Sequence, residues 1–393
     1  MKAFLEKLSL LSLSLMLVST FSTSTALPQM ISDFQQQGYA ASQVELLFSI
    51  SSFAIMGVLF LNPFLNRVLS ERVSIILGLS LIAFGGSLPV VGKTYALLVV
   101  SRLLLGAGIG LINSRAISII SENYQGHERA QMLGFRGSFE VLGNAFLTIL
   151  VGSLVSFGWS WAFSVYLFAL PILLFYLVFA PRQKHSSIDV AKAPKKSSMA
   201  FTKEQILYIV GLAVLAGFVI NINSANSLRI PVIVDALHLG TPSQASLILS
   251  GMMLMGIVSG FCFKSLLAYF DKNLIMVSLI PFAGGLFLLG FAQNLWLMLI
   301  GAMLSGFLYS IIVTTVFSAV SNKMPPQLIG NATTLVLLFC NFGGASAAFT
   351  LNLFSKINPQ PAFAFVIYAI ISLIISVILG FKAYFSKHFS RLK

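Results

Sequence analysis

Twelve stretches of roughly 20 mostly apolar residues follow one another along this chain, and that is the length a helix needs to cross a bilayer. The first six lie near 8–30, 44–65, 73–92, 95–118, 131–154 and 159–180. The others lie near 205–230, 244–267, 273–292, 295–320, 331–354 and 362–385. Short connections between them hold most of the proline and charge. Only 9% of the residues are charged and the mean hydropathy is +0.93, whereas soluble domains carry about 25% charge. The solvent of such a chain is lipid. Backbone groups in lipid must be satisfied within each segment, so the expected fold is an all-α membrane protein of twelve transmembrane helices. Its expected place is a cell membrane, read as a bacterial plasma membrane.

The chain is basic, with a pI of about 9.8. In a soluble protein that would point to nucleic acid, but cytoplasmic loops of membrane proteins collect Lys and Arg. Alternating the sides of the spans puts 20 of the 24 basic residues with the two tails. The other side holds Lys93, Arg229 and Lys356, and Arg102 lies inside a span. Both termini are therefore expected in the cytoplasm, with no nucleic-acid partner. A cleavable leader is the alternative for the first segment, since Lys2 and Lys7 precede an apolar run and small residues follow. Removing it would leave the two basic ends on opposite sides, so the segment is read as a span.

Pro181–Lys203 reads as a polar cytoplasmic linker between an N-terminal half, 1–180, and a C-terminal half, 204–393. The halves echo each other at an offset of 200: Gly106 with Gly306, Ser121 with Ser321, Gly143 with Gly343. A kink expected at Pro28 in the first span has a counterpart at Pro231 in the seventh. Duplicated halves of this kind bind their substrate near the bilayer midplane, between the halves.

Nucleophile elbow, P-loop and zinc-binding helix patterns are absent. Cys262 and Cys340 lie in apolar runs, and His127, His185, His238 and His388 sit at loops or tails. No cofactor, metal or enzymatic activity is expected, and the energy for any transport should come from an ion gradient.

The fourth span reads SRLLLGAGIG, the loop after it SENYQGHERAQMLGF, and GWSWAF opens the sixth. These segments resemble the major facilitator superfamily over essentially the whole chain, with Arg102, Gly106, Gly108 and Gly110 in the places of its R-x-x-x-G-x-G pattern. ALPQMISDF at Ala26–Phe34 resembles the drug:proton antiporter branch. Two departures stand out. The loop after the second span, NPFLNRVLSER, has Asn66 where the family has Asp, and the fifth span lacks the antiporters' Gly-Pro pair. The resemblance implies a cytoplasmic gate at Asn66, Arg67, Arg72, Arg115, Arg129 and Arg136. It also implies a cavity lined by spans one, four, seven and ten.

Ionisable groups inside a span are functional candidates by default. The fifth span carries Arg136, Glu140, Asn144 and Thr148 at intervals of four, which places them on one slowly drifting face. Glu140 is either half of a structural pair with Arg136 or a proton carrier. Arg102 is either a helix anchor or, as the resemblance implies, a cavity residue tied to proton coupling. Ser12, Ser19, Ser22 and Thr23 share a face of the first span, Asn221, Asn223 and Asn226 crowd the seventh, and Ser305 and Tyr309 mark the tenth. The expected cavity set is Ser19, Thr23, Arg102, Asn113, Asn144, Asn223, Asn226 and Tyr309.

The function read from these features is secondary transport, as a monomer, of a small-molecule substrate, by proton-coupled efflux of an amphipathic drug or metabolite. The alternatives are proton-coupled uptake of a small organic anion, and a non-transporting membrane sensor on the same scaffold.

Overall fold

The structure, a computed structural model, describes residues 2–124, 126–180 and 201–389; most of the expected linker lies outside them. The first span is α1 (Lys2–Ser12), two 3₁₀ stretches and α2 (Leu27–Gln36). Next come α3 (Ala41–Val68), α4 (Glu71–Ser80) continued by a π turn into α5 (Gly86–Val91), α6 (Tyr95–Asn123), and α7 (Gly126–Leu154). A 3₁₀ stretch running into α8 (Ala169–Phe179) completes the first half. The second half is α9 (Lys203–Ala236), α10 (Pro242–Phe270), α11 (Leu274–Gly290), α12 (Leu295–Lys323), α13 (Pro326–Ile357) and α14 (Phe363–Phe389).

Among the described residues, ten helical runs are long and apolar enough to cross a membrane, and the bent first span makes eleven. One of the ten, Pro242–Gly290, is 49 residues long. At about 1.5 Å per residue it would be more than twice a bilayer's hydrocarbon thickness. The chain reverses within it at Asp271, whose φ is +44°. Thus α10 and α11 are separate spans, and the count is the expected twelve.

The expected kink is displaced. Phe4–Met16 and Ser19–Gln36 meet at 49°, so the break is at Leu17–Val18 rather than at Pro28. Pro28 sits in the first turn of α2, where a missing N–H leaves no bond unmade. Hydroxyls account for the real break. Ser12 and Ser19 donate to the carbonyls of Ser9 and Met16, three residues back, which competes with the α ladder and tightens the helix. Pro231 lies inside a continuous α9.

The internal repeat is physical. Thr94 caps α6 through the Leu97 N–H, and Asn294 caps α12 through that of Leu297. A Cβ at Gly106 would strike the Ser51 carbonyl, and one at Gly306 the Met252 carbonyl. Gly143 meets Leu15 backbone as Gly343 meets Gly217. Tyr166 donates to the Ser19 carbonyl at 3.0 Å, and Tyr368 donates to the Asn221 side chain at 2.6 Å. Each half thus locks its fifth helix onto its first, its fourth onto its second, and its sixth onto its first, in matching register.

Between the halves, α7 packs on α10 and α3 on α13, while α2 and the 3₁₀ stretch before it meet α9. The outward faces stay apolar: Phe135, Leu142, Phe146 and Ile149 form an exposed stripe on α7, as a helix facing lipid requires.

A candidate transport site between two halves

Among the described residues, the side-chain contacts across the halves gather toward the end away from the termini, here called the far side. Ser243 donates to the Gly152 carbonyl at 2.8 Å, and Ser250 to that of Ala145 at 3.0 Å. Gly152 is there because nothing larger fits: a Cβ would collide with the Ser246 hydroxyl. Phe53 meets Phe349 edge-on at 6.0 Å. The strongest tie is ionic. Arg229 on α9 donates to Glu45 on α3 at 2.5 Å and to the Ser355 hydroxyl on α13 at 3.2 Å. Their side chains are only 7% and 3% exposed.

This pair adds to the expectations at two points. Counting bases had put Arg229 on the outer side, at the very end of a span at 205–230; it lies well within α9, two residues before Pro231, because the helix runs on to Ala236. Glu140 was the carboxylate singled out inside a span. Glu45, near the start of α3, lies in the span Ala41–Asn62 and is fully packed. The available signal was weak, since each residue alone resembles an interfacial charge at a helix end.

The expected cavity residues divide into three groups. Arg102 is 1% exposed, boxed by rings: its guanidinium carbon is 4.5 Å from the Phe163 centroid, 5.4 Å from Tyr166 and 5.6 Å from Phe48. It donates to the Tyr166 hydroxyl at 3.2 Å, and Thr23 is 3.5 Å from the same oxygen. Ser19 accepts from Tyr166 through its carbonyl. Arg102, Ser19 and Thr23 therefore come together, but inside the N-terminal half. Rings stabilise a desolvated cation by about 2 kcal/mol or more.

The second group is on α7. Arg136 forms an ion pair with Glu140 at 2.6 Å and donates to Asn113 on α6 at 2.9 Å. Side-chain exposures of 14% and 20% leave this pair partly accessible. Further along, Asn144 accepts from Ser22 at 2.7 Å, tying α7 to the first span. Thr148 turns back to its own helix and touches Met253 of α10 at 3.9 Å.

The third group belongs to the other half. Asn226 donates to Ser305 on α12 at 3.3 Å and is fully buried, whereas Asn223 and Tyr309 are only partly buried. Asn221 joins Tyr368, Thr350 and Ser346 in one buried network.

Among the described residues, no gate side chain is seen to bond across the halves. Arg115 donates to the Leu69 carbonyl at 2.9 Å, within its own half. Arg67, Arg72 and Arg129 are exposed, and Asn66 is described only by its helical backbone. A separate cleft of about 350 Å³ lies between α1 and α7, lined by Phe4, Leu8, Met132 and Phe135, with the Lys7–Glu128 ion pair beside it. None of the expected cavity residues lines it.

Comparison with known proteins places this geometry. The chain superposes on a D-xylose-proton symporter with a TM-score of 0.74 at 15% identity, covering 96% of this chain and 97% of that one. It superposes on a mutant of the peptide transporter POT at 0.74 and 14%, covering 95% and 93%. An inward open xylose transporter XylE from E. coli gives 0.73 and 14%, covering 97% and 96%. No curated protein matches. The profile of the Major Facilitator Superfamily matches residues 9–348 and, in a second alignment, 228–391. Two repeated halves of apolar spans, clasped at one end around buried polar groups, are the scaffold of a secondary transporter, and the chain belongs to the major facilitator superfamily.

Proposed function

We propose that the protein extrudes a small amphipathic compound in exchange for protons, by rocking its two halves about a site between them. The observation carrying this reading is the one-sided clasp. Glu45–Arg229 and the Gly152–Ser243 contact hold the far side shut, while on the terminal side, among the described residues, Arg115 and Arg136 bond to groups of their own half. With the basic side taken as cytoplasmic, this is an inward-facing state. Asn223 on α9, Tyr309 on α12 and the Arg136–Glu140 pair on α7 are partly buried polar groups. Glu140 is the proposed proton carrier, because its Arg136 partner can hold the charged form while burial favours the neutral one.

The experiment is flux in sealed proteoliposomes under an imposed proton gradient, with candidate amphiphiles found by thermal-shift screening. Glu140→Gln keeps the shape but cannot titrate. It should abolish gradient-driven extrusion and leave downhill exchange intact. If Glu140 only pairs with Arg136, the variant should be unstable instead, since a lone buried charge costs several kcal/mol, and Arg136→Gln should rescue it. Full gradient-driven transport by a folded Glu140→Gln protein would end the coupling role. One observation favours uptake of a small organic anion as the second reading: among the described residues, Arg102 has no carboxylate partner.

A further inference from the structure

The repeat acts as an internal control on the buried charges. Gly106 lies over the Ser51 carbonyl and Gly306 over that of Met252. Position n of α6 thus matches n+200 in α12, and position n of α3 matches n+201 in α10. Arg102 then corresponds to Ala302, and Glu45 to Ser246, both small and buried. The C-terminal half builds the same crossings, with Tyr368 in place of Tyr166, and needs neither charge. The N-terminal half carries both, opposite in sign, on two helices packed directly together.

In this state they are not paired with each other. Glu45 holds Arg229 of the other half. Arg102 has one nitrogen on Tyr166, and its other terminal nitrogen is buried with no hydrogen-bond partner. The face of Phe48 stands 5.6 Å from the Arg102 guanidinium carbon. Phe48 is three residues after Glu45 on α3, so their side chains share a helix face about 5–6 Å apart at Cβ.

We propose that Glu45 is a carboxylate with two alternating partners. It binds Arg229 while the far side is closed and turns to Arg102 of its own half when the far side opens. The scheme, which rests on the alternating-access reading above, leaves one arginine without a carboxylate in each state. When that arginine is Arg102, three aromatic rings cushion it. When it is Arg229, the far side has opened and water solvates it. The latch can then release without stranding a bare carboxylate in the membrane.

The test needs no substrate. Arg102→Leu, Arg229→Leu and their double variant are made in the full chain, with and without Glu45→Gln, and their thermal unfolding is measured. Far-side opening is read from the labelling rate of Ser355→Cys by an impermeant maleimide, after Cys262 and Cys340 are changed to Ala. Arg229→Leu should raise labelling about tenfold, the equivalent of 1.4 kcal/mol. Adding Arg102→Leu should remove that gain and lower the melting temperature by more than the sum of the single changes. Glu45→Gln should restore additivity. Should Arg102→Leu not fold, Arg102→Gln reads the same loss, and Arg102→Lys, which keeps the charge, should keep the coupling. Additive effects of Arg102 and Arg229 would overturn the proposal. So would stabilisation by an added carboxylate such as benzoate that requires Arg102 and ignores Glu45, since Arg102 would then be an anion site. Labelling from both sides in the otherwise unaltered protein tests alternating access separately, so failure of either idea is recognisable.

Discussion

Gly152→Ala should hold the transporter away from its far-side-closed state. A methyl there would collide with the Ser246 hydroxyl, lie 2.6 Å from its Cβ and 3.1 Å from the Ser243 Cα. The last of these is backbone and cannot rotate away. Overpacking of this kind costs about 1–3 kcal/mol. Because α7 and α10 belong to different halves, the strain exists only while they are clasped, so all of it acts on the conformational equilibrium. A bias of that size corresponds to a shift of about 5–150-fold. The assay is maleimide labelling of Ser355→Cys in a background lacking the two native cysteines. Controls come from the same helix: at Gly134 and Gly137 an added Cβ meets nothing within 4 Å. Alanine at those sites should only gain the usual helix propensity, about 0.5–1 kcal/mol. Ser246→Gly should partly reverse the effect by removing the first two collisions. Unchanged labelling in Gly152→Ala, or an equal rise in Gly137→Ala, would refute the claim that this contact is a closing surface.

Three further outcomes are expected. Reporter fusions at Lys195 and at the C-terminus should read cytoplasm and one at Asp235 the outside; a cytoplasmic signal at Asp235 would overturn the orientation. Asn223→Cys should react with small water-soluble thiol reagents while Asn226→Cys, buried against Ser305, should not; equal labelling of both would dissolve the distinction between cavity and packing. Tyr166→Phe should lower stability by about 1–3 kcal/mol, the cost of leaving buried polar groups unsatisfied, because its hydroxyl serves both Arg102 and the Ser19 carbonyl; an unchanged melting temperature would show that these groups find other partners.

The spans were legible because hydropathy is a local property: twenty apolar residues have one outcome in lipid wherever they occur. Glycine pairs at a fixed offset were legible too, since a backbone crossing tolerates little else, and Gly106 and Gly306 do the same work against Ser51 and Met252. The proline reading failed because it placed the break by residue type. Hydroxyls at Ser12 and Ser19 bend the first span, and they do so through bonds that hydropathy does not record. The Arg136–Glu140 pair was visible as a four-residue spacing. Glu45 and Arg229 are 184 positions apart, and no local pattern could join them.

That failure indicates where function resides in a duplicated scaffold. Positions alike in both halves, such as the glycine crossings and the tyrosines at 166 and 368, satisfy the packing both halves need, and their types follow from sterics. Positions that differ are free of that constraint. Arg102 against Ala302 and Glu45 against Ser246 add charge where the partner half shows that none is required. Asn144 against Gly344 adds a buried amide, held by Ser22, while Ser224 stands 3.5 Å from where a Cβ on Gly344 would lie. A desolvated charge is a standing cost to stability. A charge that the matching position of the other half does without therefore points to the transport cycle rather than to the fold.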